Sequence, residues 1–260
     1  MSKTHVFIVG ASGYTGGAIA KALLEAQTFK PLILAAKKAG VGRVVPSDFG
    51  PTAPKGVMGM HDLKLGIRDC IKELGLPHTF IEVGSWLSGM FPPLHSARNT
   101  LMTQKAYVGD RSQKLIYSTL PSIGRIVARI IIDPRTLNQT VVSYDGEISI
   151  NETWKVAEKV TGENFSDYPK VSDEEIDRGR QQTENWAKRA VADYYRSLFI
   201  RGDNTLAKAE ALGRLDSRKL YNDVPYPDVE EEAKNHYASG FVLDYGLSEE
   251  HLLDVFATGA

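Results

Sequence analysis

Cysteine and long hydrophobic runs are scarce in this chain. Cys70 is the only cysteine among 260 residues, so an internal disulfide is excluded. No apolar stretch approaches the roughly 20 residues that a membrane-spanning helix needs, and the N-terminal residues do not form a recognisable secretion signal. From these absences we expect a cytoplasmic protein that is not integral to a membrane.

The sequence also lacks long runs of like charge and the residue spacings that are typical of metal ligands. The formal net charge is -1, and no basic run offers a surface for nucleic acid or for an anionic membrane. His61 and His78 lack a second ligand at metal spacing, and we interpret both as structural. We therefore expect a small-molecule substrate, no nucleic-acid or membrane partner, no metal, and either a monomer or a homodimer.

What the sequence does contain is an alternation of strand-like and helix-like segments. Residues 5–9 form a short apolar run typical of a buried parallel strand, and residues 14–27 carry apolar side chains at helical spacing. Further strands are predicted over residues 43–46, 78–83 and 141–144, and further helices over residues 31–40, 61–74, 124–132 and 152–161. Such alternation favours an α/β fold with a parallel sheet.

The C-terminal half is predominantly helical by the same criterion. Ser172 and Glu175 form a capping box, which predicts the start of one long helix that extends to Leu198. We expect a smaller, mostly helical substrate lobe over residues 141–260, beside a nucleotide-binding domain over residues 1–140. No linker composition marks this boundary.

A glycine-rich turn joins the first predicted strand to the first predicted helix. Of its three glycines, the first permits a tight turn, the second lets backbone N–H groups approach a phosphate, and the third lets the helix pack on the sheet. The N-terminus of the helix then faces the anion. The alternative is a turn that binds nothing, but we interpret this one as a dinucleotide site. The predicted cofactor contacts are Gly10, Ser12, Gly13, Tyr14, Thr15 and Gly16.

Several segments resemble the NmrA-like and isoflavone-reductase-like family, an atypical branch of the short-chain dehydrogenases. The similar segments are residues 9–16, 36–51 (AKKAGVGRVVPSDFGP), 64–80, 145–152 and 221–246. The resemblance implies a Rossmann domain with a smaller substrate lobe, and NADPH-dependent reduction of a small, often aromatic or polyketide-like molecule. It favours NADPH over NADH, although the residues that would discriminate between the two are not recognisable.

The resemblance assigns chemistry to a Lys-x-x-Ile-Arg pattern that begins at Lys64. In such enzymes this lysine is the catalytic acid–base, and the arginine four residues later, here Arg68, lies by the cofactor. Independently of the family, residues four apart share one helix face, and mutual repulsion and burial would lower the pKa of the lysine. The alternative is a pair of solvated surface cations. No tyrosine stands four residues before a lysine, which disfavours the usual tyrosine-based mechanism.

Four further residues are predicted to line a substrate crevice at the carboxyl ends of the strands. Ser47, Asp48 and Phe49 lie in a loop rich in turn formers, and Trp86 follows the next predicted strand. Asp48 has an alternative role as a cap of the next turn.

One departure from the family lies between Gln27 and Pro31, where relatives carry their second to fourth strands. Only three residues stand there, and they span about 10 Å when extended, whereas a helix the length of the preceding one is about 21 Å long. The ordinary path cannot close over that distance. We therefore predict a truncated, Rossmann-like doubly wound sheet, in which either the first strand takes the vacated fourth position or the N-terminal strand and helix are displaced.

Three functions follow from these observations. The first is an NAD(P)H-dependent reductase that acts on a small, aromatic or secondary-metabolite substrate. The second is a non-catalytic, NmrA-like regulatory protein that binds the dinucleotide, and the third is an inactive, truncated isoform that binds nothing.

Overall fold

The computed structural model describes residues 29–99, 103–182 and 185–239. The strands are β1 Thr79–Glu82, β2 Ser85–Trp86, β3 Tyr107–Val108, β4 Lys114–Ser118, β5 Gln139–Val142, β6 Gly146–Ser149, β7 Lys170–Val171 and β8 Leu215–Asp216. The α-helices are α1 Phe29–Lys38, α2 Gly59–Glu73, α3 Leu120–Ile130, α4 Ile150–Thr161, α5 Asp173–Arg180, α6 Trp186–Tyr195, α7 Leu206–Ala211, α8 Ser217–Leu220 and α9 Val229–Ser239. The predicted first strand, the glycine-rich turn and the first helix lie outside the described residues.

A parallel three-stranded sheet in the order β1-β5-β8 positions the loops discussed below. β1 pairs with β5 from Thr79–Gln139 to Glu82–Val142, and β5 pairs with β8. Val44 adds a parallel bridge to His78 just before β1. The predicted strand over residues 78–83 is thus confirmed, and the strand predicted over residues 141–144 is present but lies two residues earlier, at Gln139–Val142.

β1 is buried on both faces, as parallel strands covered by helices are. Phe80 packs with Ile33 of α1 and Ile71 of α2, whereas its neighbour Ile81 packs with Ile126 of α3. Successive side chains of a strand point to opposite faces, so α1 and α2 cover one face of the sheet and α3 covers the other. This confirms the predicted α/β architecture in the described part of the chain.

Two smaller sheets complete the described fold. β2 pairs in parallel with β4, which pairs antiparallel with β6, and β3 pairs in parallel with β7. At Gly84, which leads into β2, φ is +70°, and an added Cβ would lie 2.5 Å from the carbonyl oxygen of Ile116. Only glycine fits this close approach of backbone to backbone.

Two sequence predictions were wrong in their extent. Residues 43–46 form a single bridge at Val44 rather than a strand, because Pro46 has no N–H to donate and its carbonyl accepts from Asp48 in a turn. The capping box of Ser172 and Glu175 is confirmed. The helix that it begins ends at Arg180, and Asn185 caps the start of α6 by accepting from the backbone N–H of Lys188, so the predicted long helix is two helices.

The predicted domain boundary between residues 140 and 141 falls inside β5. This strand lies between β1 from the first half and β8 from the second half, so the two halves share one sheet in the described residues. Of the helices in the described ranges, none is long and apolar enough to cross a membrane.

Candidate active site around Lys64

One face of α2 carries the candidate catalytic lysine. His61, Lys64 and Arg68 are spaced by three and four residues, which places them on the same side of the helix. This side faces the loop of residues 47–53, which precedes α2. His61 and Arg68 are buried, and Lys64 is half-buried.

The Lys64 ammonium is fixed by the backbone of that loop. Its Nζ donates a hydrogen bond of 2.5 Å to the backbone carbonyl oxygen of Asp48. Burial lowers the pKa of Lys64; the Asp48 carboxylate opposes this effect, and the Arg68 charge adds to it. The pKa therefore lies below its ordinary value, in the direction predicted from the sequence.

Arg68 belongs to a buried charge cluster, defined here as Asp48, Arg68, Glu82 and Arg214. Arg68 donates from Nε to Asp48 Oδ2 at 2.5 Å and from Nη1 to Glu82 Oε1 at 2.9 Å. Arg214 donates to the two oxygens of Glu82 at 3.2 Å and 3.0 Å. Two cations face two carboxylates, so the charge cluster is formally neutral. The alternative of Arg68 as a solvated surface cation is excluded.

The sequence analysis missed two members of the charge cluster, Arg214 and Glu82. Glu82 ends β1 with its side chain 1% exposed, and it also accepts a hydrogen bond of 2.7 Å from Thr52 Oγ1. Burial alone would raise the pKa of Glu82, but Arg68 and Arg214 outweigh this effect and hold the pKa below its ordinary value. A carboxylate inside an otherwise apolar strand was the available signal, because a buried charge requires partners.

The loop beneath Lys64 is held in an unusual conformation. Phe49 has a φ of 28°, a region that non-glycine residues rarely adopt. Backbone hydrogen bonds from Phe49 to Ile81 and from Val83 to Gly50, at 3.0 Å and 2.9 Å, tie the loop to the end of β1. A strained conformation persists only where surrounding contacts over-determine it, and such residues are enriched at functional sites.

The four residues predicted to line a crevice occupy different environments. Ser47 is exposed, whereas Asp48 is buried and its carboxylate accepts from Arg68 rather than capping a turn. Phe49 and Trp86 both pack against the apolar cluster that contains Ile81. The fold thus brings three of the four to the carboxyl end of β1, and their role in substrate binding stays a prediction.

An open pocket with a cavity volume of about 50 Å³ lies farther along the chain. Gly89, three residues after Trp86, contributes to its wall, but none of the four predicted crevice residues does. Five aromatic rings line the pocket, from Phe91, Tyr107, Trp154, Tyr195 and Phe199. Such a surface suits a flat apolar or aromatic molecule.

Hydrogen bonds through Asn204 link the loop beneath Lys64 to β2. The backbone N–H of Thr52 donates to Asn204 Oδ1 at 3.2 Å, and Asn204 Nδ2 donates to Ser85 Oγ at 3.3 Å. The loop beneath Lys64 is therefore connected to the strand that leads to the aromatic pocket.

The two histidines have structural partners. His61 Nε2 lies 3.0 Å from the carbonyl oxygen of Ala53, and His78 Nδ1 lies 2.8 Å from that of Leu76 while its ring stacks on Phe80. Over the described ranges, no group of three or more His, Cys, Asp and Glu side chains could hold a metal ion.

Sequence comparison assigns the family. The model of the NmrA-like family matches residues 25–232, which cover Lys64 and the whole charge cluster. The chain belongs to the NmrA-like family. The resemblance inferred from the sequence is therefore confirmed, while the glycine-rich turn lies before the matched residues.

Two curated relatives of this NmrA-like chain are reductive or oxidative enzymes by name. Asnovolin J 5',6'-dehydrogenase of Aspergillus novofumigatus is 31% identical over 78% of this chain and 68% of its own length. Phenylcoumaran benzylic ether reductase TP7 of Nicotiana tabacum is 26% identical over 77% of this chain and 68% of its own.

A solved structure shares the fold. The binary complex of leucoanthocyanidin reductase with NADPH from Vitis vinifera superimposes with a TM-score of 0.66, at 23% identity over 80% of this chain and 70% of that one. The NmrA-like chain thus has the α/β, Rossmann-like fold of a protein that has been observed with NADPH.

Proposed function

We propose that this NmrA-like protein is an NADPH-dependent reductase of a small, aromatic or secondary-metabolite substrate, with Lys64 as its proton donor. The observation that carries the proposal is the Lys64 ammonium. It is half-buried, its pKa is lowered, and a backbone carbonyl holds it at the carboxyl edge of a parallel sheet. Ligands of open α/β sheets bind outside that edge.

The residues of this chain fit a dinucleotide. Arg68 Nη2 is buried and has no hydrogen-bond partner among the described residues, so that a donor remains for an acceptor oxygen. We propose that Gly10, Ser12, Gly13, Tyr14, Thr15 and Gly16 hold the pyrophosphate, in keeping with their glycine spacing, and that Arg68 lies by the cofactor. When bound, NADPH supplies a hydride.

The chemistry left to the protein is proton transfer. An ammonium has three N–H donors, and Asp48 accepts one of them, which leaves two for a substrate oxygen. In the proposed step, Lys64 Nζ donates a proton to the substrate atom that becomes an alcohol or phenol oxygen. The lowered pKa of Lys64 makes this donation easier near neutral pH than it is for an ordinary lysine.

We propose that the aromatic pocket and the predicted crevice residues Ser47, Asp48, Phe49 and Trp86 together receive the substrate. Support comes from the hydrogen-bonded chain through Asn204 and from the position of Gly89 close behind Trp86. Relatives named for a phenylcoumaran benzylic ether and for asnovolin J support a bulky secondary-metabolite substrate.

We propose a shortened nucleotide-binding region over residues 1–140 and a substrate lobe over residues 141–260, as the sequence predicts, with the second to fourth strands of relatives missing after Gln27. The two regions share the sheet β1-β5-β8, so they are parts of one folding unit and not separate domains. The match to only 68% of the length of both curated relatives supports a shortened chain.

A turnover assay tests the proposal. The purified protein is incubated with NADPH carrying deuterium at both C4 positions, together with a panel that includes pinoresinol, a phenylcoumaran benzylic ether and a fungal polyketide. We expect oxidation of NADPH, followed by absorbance at 340 nm, and a product one mass unit heavier than that formed with unlabelled NADPH. Equal affinity for NADPH and NADP⁺ without turnover of any panel member would favour the regulatory alternative instead.

A further inference from the structure

Two side chains of α2 donate hydrogen bonds to Asp48. Its carboxylate accepts from Arg68 Nε, and its backbone carbonyl accepts from Lys64 Nζ, both at 2.5 Å. Lys64 and Arg68 are one turn apart on α2. The contact that orients the Lys64 ammonium therefore depends on where Arg68 holds Asp48.

Glu82 fixes Arg68 in turn. It occupies Nη1 of Arg68, it accepts two hydrogen bonds from Arg214, and Thr52 Oγ1 donates to its Oε2. Arg214 is 132 residues away in the sequence, and it is the one member of the charge cluster that comes from the C-terminal half. Without Glu82, two guanidinium groups would face a single carboxylate in a buried site.

Stability alone does not explain why such a cluster is present. Taking four charged groups out of water costs about as much as their attraction returns, and buried ion pairs are often replaceable by apolar residues. A buried polar network does fix one arrangement of its members, provided that each is paired.

We infer that Glu82 is a positioning residue for Lys64. It holds Arg68 of α2 and Arg214 of the C-terminal half in one cluster, which keeps the Asp48 carbonyl at the Lys64 ammonium. The inference rests on the proposed function of Lys64 as proton donor, and it adds a residue that does not touch substrate or cofactor.

The sign of the electrostatic effect follows from the charges. In Glu82→Gln the positive charge of Arg68 is less neutralised, so the pKa of Lys64 falls further. In Arg214→Met, Glu82 neutralises Arg68 alone, so the pKa of Lys64 rises. Removal of the charges alone gives these opposite directions, so positioning is judged from the accompanying loss of kcat in Glu82→Gln.

The test measures the titration of the Lys64 amine directly, without cofactor or substrate. Limiting acetic anhydride labels amines of the full-length protein between pH 6 and pH 11, and mass spectrometry of the Lys64 peptide gives its titration midpoint. We expect a downward shift of about 0.5 to 1 unit in Glu82→Gln, an upward shift in Arg214→Met, and recovery toward wild type in Glu82→Asp. Labelling of Lys72, an exposed lysine of α2, serves as the internal reference for the extent of reaction.

Turnover provides the second readout. In Glu82→Gln we expect kcat to fall between about 10-fold and 100-fold and KM for NADPH to change less, because misplacement of a reacting group mainly costs rate, while the loosened Arg68 also lies by the proposed cofactor site. Asp145→Asn, a buried carboxylate paired with Arg218 outside the charge cluster, is the matched control for destabilisation.

Unchanged Lys64 midpoints in both Glu82→Gln and Arg214→Met overturn the inference, whatever happens to stability. If Glu82→Gln does not fold, the half-buried Arg214→Met and the charge-conserving Thr52→Val decide the question by the same labelling. Shifted midpoints in a protein that turns over no substrate would uphold the positioning of Lys64 and contradict the proposed function.

Discussion

A Lys64→Met variant should lose at least about 100-fold in turnover, the usual contribution of a positioned proton donor. Its affinity for NADPH should stay within about threefold of wild type, because the loss falls on the proton transfer rather than on cofactor binding. Methionine retains the unbranched stem of lysine, so the packing of α2 should survive. Stopped-flow absorbance at 340 nm and fluorescence titration with NADPH measure the two effects separately.

Lys72→Met is the matched control for this variant, because Lys72 lies on the same helix and is exposed, and its ammonium lies 5.5 Å from the centre of the Phe80 ring. Its turnover should equal that of wild type. The pH profile adds a directional check: a proton donor must be protonated, so kcat should fall as the pH rises through the Lys64 pKa, which lies below its ordinary 10.5. Full turnover in Lys64→Met would remove Lys64 from the mechanism.

The largest effect on stability is expected for Asp145→Ala. The Asp145 carboxylate is fully buried, pairs with Arg218 Nη2 at 2.6 Å and accepts from the N–H and Oγ1 of Thr119 at 2.8 Å and 2.9 Å. Its removal leaves the buried Arg218 guanidinium without a counter-charge. We expect the free energy of unfolding to fall by about 3 to 5 kcal/mol in urea denaturation at pH 7.

Asp223→Ala tests whether burial or a short distance makes an ion pair important for stability. Asp223 pairs with Arg129 at 2.5 Å, as closely as Asp145 pairs with Arg218, but its side chain is 63% exposed. Solvent and salt screen such a pair, so this substitution should leave the unfolding curve unchanged. Equal destabilisation in the two variants would show that burial is not what makes the Asp145 pair important.

Local patterns predicted the elements that carry the candidate site. The apolar spacing of residues 61–74 identified α2, and the spacing of four between Lys64 and Arg68 placed both cations on one face, where the structure has them. The turn formers after Pro46 identified the loop that accepts the Lys64 hydrogen bond. These features depend on residues within one or two turns of each other, and single-sequence reasoning reaches that range.

The features that the sequence did not predict depend on contacts between residues that are far apart in the chain. The contact between Glu82 and Arg214 spans 132 residues, and no periodicity links the two positions. The strands β2, β3 and β7 are two residues long, too short for an alternating pattern, so only their tertiary partners define them. The positive φ of Phe49 likewise follows from the docking of its loop on β1 rather than from the preference of phenylalanine.

The same distinction explains the wrong prediction of one long helix. Trp186, Ala190, Tyr194 and Leu198 keep a spacing of four, and this apolar pattern alone does not show where the helix that begins after Ser172 ends. The cap at Asn185 shows that a new helix begins there. Its side chain accepts from the backbone N–H of Lys188, which in an uninterrupted helix would donate to a backbone carbonyl one turn earlier.

Calorimetric titration of the full-length protein with NADPH tests the account most directly. We expect saturable binding at one site per chain, weaker binding of NADH, and no binding in Gly13→Val, because the proposed role of this glycine at the pyrophosphate requires a residue without a side chain. A flat titration of the folded wild-type protein would contradict the assignment as a reductase and leave the NmrA-like fold without its cofactor.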